Sequence, residues 1–250
     1  LCAKRNLNLV YFSLYRTPFP HPPFGHLLPK GEEDINKIYN MNIIILGPQG
    51  SGKGTQAELL AKKFNLDHFD AGRALRQVTM LDTPLGKEVY EIITVRKELV
   101  PSRILKEILQ VRLTDLPREQ GIVFDGVPRN VEQAEYFMEI LREFGRKIDR
   151  VIFVEISKEE SIKRIGKRFS CEKCKEPMIL KKDQPAVCPK CGGKLKQRAD
   201  DTKEGIEKRL KIYAEETMPV IEFFEKKNLV LKINGEQAVE EVFEEIVKNL

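Results

Sequence analysis

From Met41 onward, short apolar runs alternate with stretches in which apolar residues recur every third or fourth position. Asn42-Ile43-Ile44-Ile45-Leu46 reads as a buried strand. Ala57, Leu60, Ala61 and Phe64 then follow helical spacing along one face. Thr83-Pro84 has the form of an N-cap with proline in the first turn and predicts a helix to about Arg96, with Leu85, Val89, Ile92 and Ile93 on its apolar side. Further helices are expected over Ser102–Leu113 and Val131–Phe144, the latter burying Ala134, Phe137, Met138 and Leu141. Gly121–Asp125 and Arg150–Ile156 read as strands, and Ser157 with Glu160 has capping-box spacing. Thr202 opens a long helix interrupted at Pro219, Leu229–Ile233 is a strand, and a last helix is expected to turn Val239, Val242, Phe243, Ile246 and Val247 inward. Strands and amphipathic helices in alternation predict an α/β fold, a parallel sheet covered by helices on both faces.

Residues 1–40 break the pattern. They are rich in proline and aromatics (Pro18, Phe19, Pro20, Pro22, Pro23, Phe24) and carry no amphipathic period. Lys4-Arg5 ahead of Leu7–Tyr15 resembles a signal peptide only faintly, because no small-residue cleavage site follows. The expectation is a disordered upstream extension, with the functional protein beginning at Met41.

Composition adds little beyond an ordinary globular class. The chain has 250 residues, 41% hydrophobic and 32% charged, with net charge +5. No run of about 18 apolar residues is present, so no membrane span is expected. The mild charge does not mark a dedicated nucleic-acid binder.

The loop between the first strand and helix carries the strongest chemistry. Gly47-Pro48-Gln49-Gly50-Ser51-Gly52-Lys53-Gly54-Thr55 sits in the strand–loop–helix context of a phosphate-binding loop. Its glycines let backbone N–H groups turn toward phosphate oxygens, and the helix N-terminus adds positive partial charge. Lys53 can reach the outer phosphates, and Gly54 stands where Ser or Thr is usual. The alternative is a glycine-rich turn with no ligand.

Two further constellations accompany it. Cys171-x2-Cys174-x13-Cys188-x2-Cys191 has the spacing of a tetrahedral zinc site with all four positions filled, which argues for a structural metal. Two disulfides or free thiols are the competing readings. Of Arg76, Arg129, Arg164, Arg168, Arg198 and Arg209, several fall where strands end or helices begin, and phosphoryl transfer needs such guanidinium groups around spreading negative charge. Asp125, closing a strand, is placed to orient hydrated Mg²⁺, or else is a turn acid.

Gly47–Gln56, Asp125-Gly126-Val127-Pro128-Arg129, Gln197-Arg198-Ala199-Asp200-Asp201 and Asn234-Gly235-Glu236-Gln237 together resemble the adenylate kinase family in its long-lid, zinc-bearing form, over essentially Met41–Leu250. The resemblance implies a P-loop NTPase-type core over 41–69, 101–166 and 203–250, an inserted acceptor-binding segment over 70–100 and a zinc lid over 167–202. It implies reversible phosphoryl transfer from Mg·ATP to a nucleoside monophosphate, AMP by default. The catalytic set is then Lys53, Asp125, Arg129, Arg164, Arg168, Arg198 and Arg209. ATP would meet Gly47, Gly50, Ser51, Gly52, Lys53, Gly54, Thr55, Arg164, Arg168 and Gly235. The acceptor would meet Ala71, Gly72, Arg76, Glu98, Val100, Gly126, Arg129, Gln133, Arg198 and Arg209, with Gln133 reading the base. Family habit also implies a cytoplasmic monomer without nucleic-acid or membrane partners.

The departures cluster on the acceptor side. Ala71-Gly72-Arg73 replaces Thr-Gly-Asp, Val127 stands for Phe, Lys97 for Gly, and Ser102 for an acid. Alanine in place of that threonine is what UMP-CMP kinases tend to carry, so a pyrimidine monophosphate kinase is the alternative. A zinc-ribbon nucleic-acid module is disfavoured by the lack of interleaved aromatics. A GTPase-type switch lacks an Asn-Lys-x-Asp reader, and a member without turnover sits poorly with intact Lys53 and Arg129. No His–Asp pair for general-base work is evident, and His68 reads as a surface or packing residue.

Overall fold

The computed structural model describes residues 40–174, 177–179, 187–189, 191–197 and 201–250. The extension expected over 1–40 lies, except for Asn40, outside the described residues, and so does Arg198.

Five strands, β1 (Asn42–Leu46), β2 (Asp67–Asp70), β3 (Ile122–Asp125), β4 (Arg150–Glu155) and β8 (Val230–Asn234), form one sheet in the order β2-β3-β1-β4-β8. Every pairing in it is parallel. Alternate residues of β1 feed different cores, as the pleat requires. Ile44 and Leu46 join Phe124, Phe137, Ile104 and Phe224 on one face, while Ile43 and Ile45 join Ala57, Leu60, Phe64, Val242 and Ile246 on the other. The first face is covered by α4 (Ser102–Thr114), α5 (Val131–Glu143) and α8 (Met218–Glu225). The second is covered by α1 (Lys53–Lys63) and α9 (Val239–Lys248). A run of apolar residues in β1 is thus the mark of a strand buried on both sides.

Between β2 and α4 the chain forms α2 (Ala71–Val78), α3 (Pro84–Tyr90) and a π-helical turn over Glu91–Arg96. Thr83 caps α3 as its sequence predicts, accepting the Gly86 N–H at 3.1 Å. After α6 (Lys158–Gly166), a small antiparallel sheet holds β5 (Arg168–Cys171) between β6 (Pro177–Ile179) and β7 (Leu195–Gln197). The helix opened by Thr202 is α7 (Lys203–Ile212); it widens into a π-helical turn over Tyr213–Thr217 before α8. Pro219 explains the widening, because it lacks an N–H and its ring crowds the carbonyl four residues back.

Two local expectations need correction. The Ser157–Glu160 box is only half made. Ser157 Oγ accepts the Glu160 N–H, but the Ser157 N–H donates to Glu236 Oε1 at 2.8 Å, leaving the Glu160 carboxylate to Lys163 and Arg164. Val239 does not face inward; it is 46% exposed, because helical period defines a stripe but not how far its neighbours extend along it.

Candidate active site

The loop after β1 lies at the C-terminal edge of the parallel sheet, where the strand order reverses and crossovers depart to opposite sides of β1, the position where such sheets bind ligands. Gly52 caps α1 in a left-handed conformation (φ 90°), which a side-chain-bearing residue adopts at a cost. Buried Ser161, on α6, donates from Oγ to Gln49 O at 2.5 Å and holds the loop from behind. Gln56, also buried, donates to Val239 O at 2.9 Å and so ties α1 to α9. A Cβ on Gly54 would stand 3.1 Å from Asp125 Oδ2, tighter than most side-chain contacts, so Ser or Thr here would press on that carboxylate.

Lys53 folds back over its own loop, donating from Nζ to Pro48 O at 3.2 Å. Burial is the largest influence on it and pushes its pKa down to about 8; Arg129 and Arg168 act the same way, while Asp125 and Asp70 oppose them. Arg129 also feels Asp125, Asp70, Arg76 and Arg209, with burial as the main downward influence on its pKa. Lys53, Asp125, Arg76, Arg129, Arg168 and Arg209 therefore share one electrostatic neighbourhood, although they come from distant parts of the chain.

Each member has its own support. Asp125 ends β3 at 7% exposure, in register with Ile45 on one side and Asp70 on the other. Arg129 donates from Nε to Gly126 O at 2.8 Å, and its carbonyl accepts Thr217 Oγ1 at 2.9 Å. Gln133 is buried, and its Oε1 accepts the Arg129 N–H at 2.9 Å, so in this conformation it shapes the turn before Arg129. Arg164 stands on the other side of the loop, joining Gly50 O at 3.4 Å to Gly235 O at 3.0 Å while Glu160 holds its Nε at 2.8 Å. Ala71 and Val100 are buried in the larger core, whereas Glu98 is on the surface between Arg96 and Lys208. Lys97, where glycine is usual, takes a left-handed backbone (φ 55°) and donates to Thr202 Oγ1 at 3.4 Å.

Sequence reading left two acids without assignment and took His68 for a surface or packing residue. Asp201 takes Arg168 in a two-pronged pair at 2.9 and 2.6 Å and also binds Arg209. Burial works to raise its pKa, but these two guanidinium groups outweigh it and hold the carboxyl below its usual value. An acid directly before a helix N-cap, in an arginine-rich stretch, was the available signal. Asp70 faces Arg73 and Arg76. His68 Nε2 lies 3.9 Å from Asp125 Oδ2, a spacing that only strand register reveals.

Around the small sheet, the sulfurs of Cys171, Cys174, Cys188 and Cys191 lie within 4.8 Å of one another. Cys171 Sγ is 3.4 Å from Cys191 Sγ, and Cys174 Sγ is 3.6 Å from Cys188 Sγ. Disulfides require about 2.05 Å, and all four cysteines are free. Tetrahedral zinc with sulfur at ~2.3 Å spaces its ligands roughly 3.8 Å apart, close to what is seen. The N–H of Cys174, 3.4 Å from Cys171 Sγ, is the main reason the Cys171 thiol is pulled down to about 6, toward the thiolate a metal requires.

A family model described as adenylate kinase matches residues 45–229. The adenylate kinase of Thermoanaerobacter sp. (strain X514) is 41% identical over 213 residues, covering 84% of this chain and 98% of that protein. That of Thermosipho africanus is 39% identical over 210 residues (83% and 98%), and that of Methanothrix thermoacetophila 40% over 213 (84% and 98%). With a phosphate-type loop, a ring of arginines and a four-cysteine sheet all in place, the chain belongs to the adenylate kinase family.

Proposed function

We propose that the protein transfers the terminal phosphoryl group of Mg·ATP to a nucleoside monophosphate, AMP before others, and runs the reaction in both directions. The observation that carries this is the shared neighbourhood of Lys53, Asp125 and four arginines at the edge of the sheet. In such a transfer the moving group spreads charge over its equatorial oxygens, so catalysis consists of positioning and charge stabilisation. Lys53 and the loop N–H groups take the donor's outer phosphates. Arg164, fixed to the carbonyls of Gly50 and Gly235, lines the donor side. Arg76 and Arg129 hold the acceptor phosphate, and Arg168 and Arg209, gathered on Asp201, add positive charge for the transferring group. No general base is needed, because the acceptor phosphate is largely dianionic above its second pKa of ~6.

Two metals fit the residues present. Asp125 would hold hydrated Mg²⁺, which neutralises charge on the bridging phosphates. The four cysteines would hold structural zinc, leaving no open position for catalysis. The working division is a core over 41–69, 101–166 and 203–250, an acceptor segment over 70–100, and a lid over 167–202 that closes to exclude water.

Buried Ala71 and Val127 favour a second reading, in which a pyrimidine monophosphate is preferred. A site that loses a hydrogen-bonding hydroxyl and an aromatic ring can shift discrimination strongly. Product formation from Mg·ATP with AMP, UMP, CMP and GMP, offered singly and in competition, decides between the two. Lys53→Met is the control and is expected to lower turnover by about 10²–10³-fold, the size seen when one charge-stabilising donor is removed. No turnover with any acceptor would refute both readings.

A further inference from the structure

Where β2 runs into α2, the chain places a carboxylate among the cations assigned to the acceptor phosphate. Asp70 is the last residue of β2 and the N-cap of α2; its Oδ1 accepts the Arg73 N–H at 2.8 Å. Its Oδ2 lies 3.7 Å from Arg73 Nε and 3.9 Å from Arg76 Nη2. The second distance is longer than a hydrogen bond. Arg76 is thus held by charge, and its Nε, shielded from solvent, has no hydrogen-bond partner among the described residues. That donor is left unspent.

The surroundings keep this arrangement in place. A Cβ on Gly72 would stand 3.0 Å from Arg76 Nη1 and 3.3 Å from Asp70 Oδ1, so a side chain there would push on both partners by a few tenths of an ångström. Burial works to raise the Asp70 pKa, but Arg76, then the Arg73 N–H and the Arg73 charge, hold it below its usual value. Asp70 is therefore ionised at neutral pH. Its charge also reaches Lys53 and Arg129.

We propose that Asp70 is a positioning residue that acts as a resident anion at the acceptor site, keeping Arg76 in place while competing with every incoming phosphate. The inference rests on the assignment of Arg76 and Arg129 to the acceptor phosphate. A dianion arriving at Arg76 enters the field of a carboxylate in a partly buried site, where like charges repel strongly. That repulsion is the same for any phosphate ligand. It therefore weakens every phosphate ligand alike: a monophosphate whose nucleoside part adds contacts of its own still binds, whereas bare phosphate is held weakly and product is released readily.

The test uses the full chain and inorganic phosphate as the probe. Asp70→Asn and Asp70→Ser both keep a side-chain oxygen able to cap α2. Both are expected to bind phosphate about tenfold more tightly by calorimetry, equivalent to ~1.4 kcal/mol. The acceptor KM should fall in parallel, with kcat no higher, and Tm should drop modestly because a carboxylate held ionised by two arginines is lost. Adding Arg76→Ala to either variant should erase the gain. Unchanged or weaker phosphate binding, or a raised acceptor KM, overturns the proposal and leaves Asp70 as a helix cap. Phosphate binding is read without turnover, so a wild-type protein that phosphorylates no monophosphate would count against the acceptor assignment and still leave the comparison at Asp70 decisive.

Discussion

In the five-stranded sheet, Ile43, Ile44, Ile45, Ile122, Val123, Phe124, Val151 and Ile152 are all at 0% exposure. In the three-stranded sheet the buried side chains among the described residues are Cys171 and Leu195, the latter still 8% exposed, with Phe169 and Met178 only partly buried against them. The large sheet is stabilised by apolar surface removed from water on two faces. The small one orders a similar kind of backbone with far too little apolar burial to offset the conformational entropy lost. What it has instead is four sulfurs at metal-binding distance, and metal binding is folding free energy for such a unit. One chain thus uses two means of holding a sheet, and they should fail separately.

The largest expected effect probes the first means. Phe124 packs edge-on against Phe69 and Phe137, with ring centroids 6.1 and 4.9 Å away. Phe124→Ala should cost about 3–5 kcal/mol in denaturant unfolding. A loss under about 1 kcal/mol would mean that the large sheet does not depend on this packing.

A middle-sized effect follows from Lys53, whose charge is partly desolvated in the loop at the edge of the large sheet. Below pH 8 Lys53 is protonated in free protein, and above it the charge is lost, so kcat/KM for Mg·ATP should fall about tenfold per pH unit on the alkaline side. Bound phosphates favour the charged form, so kcat should hold to higher pH. The stability consequence has the opposite sign. Between about 8 and 10.5 the unfolded chain binds the extra proton, so this residue's contribution rises with pH, and Lys53→Met removes it. A profile flat to pH 10 would place Lys53 in solvent.

The smallest effect on the main transition is expected from the second means. Cys174→Ser, or a chelator, should speed amide exchange in the described part of 167–197 and leave the main unfolding midpoint within about 1 kcal/mol. If the whole molecule unfolds together, the two sheets form one cooperative unit and the comparison collapses.

Much of this was readable in advance because it is local. The loop, its flanking strand and helix, the caps at Thr83 and Thr202, and the two cysteine pairs all depend on residues within a few positions of each other. What escaped was long-range. Ser157 has its cap completed by Glu236 from 79 residues away, and Val239 falls outside the packing its period implies. The inward-facing arginines were legible as a class, but not the anions set against them.

By itself, then, the sequence determined the alternation of strands and helices, the phosphate-type loop and the cysteine spacing, since backbone preference and side-chain period act over a turn or two. Only the tertiary structure decided that Asp70 and Asp125 stand side by side on neighbouring strands, that Asp201 gathers Arg168 and Arg209, and that Gly54 and Gly72 lie close against carboxylate and guanidinium. Strand register and close packing set those distances. Electrostatic interaction depends on distance through space and not on separation along the chain.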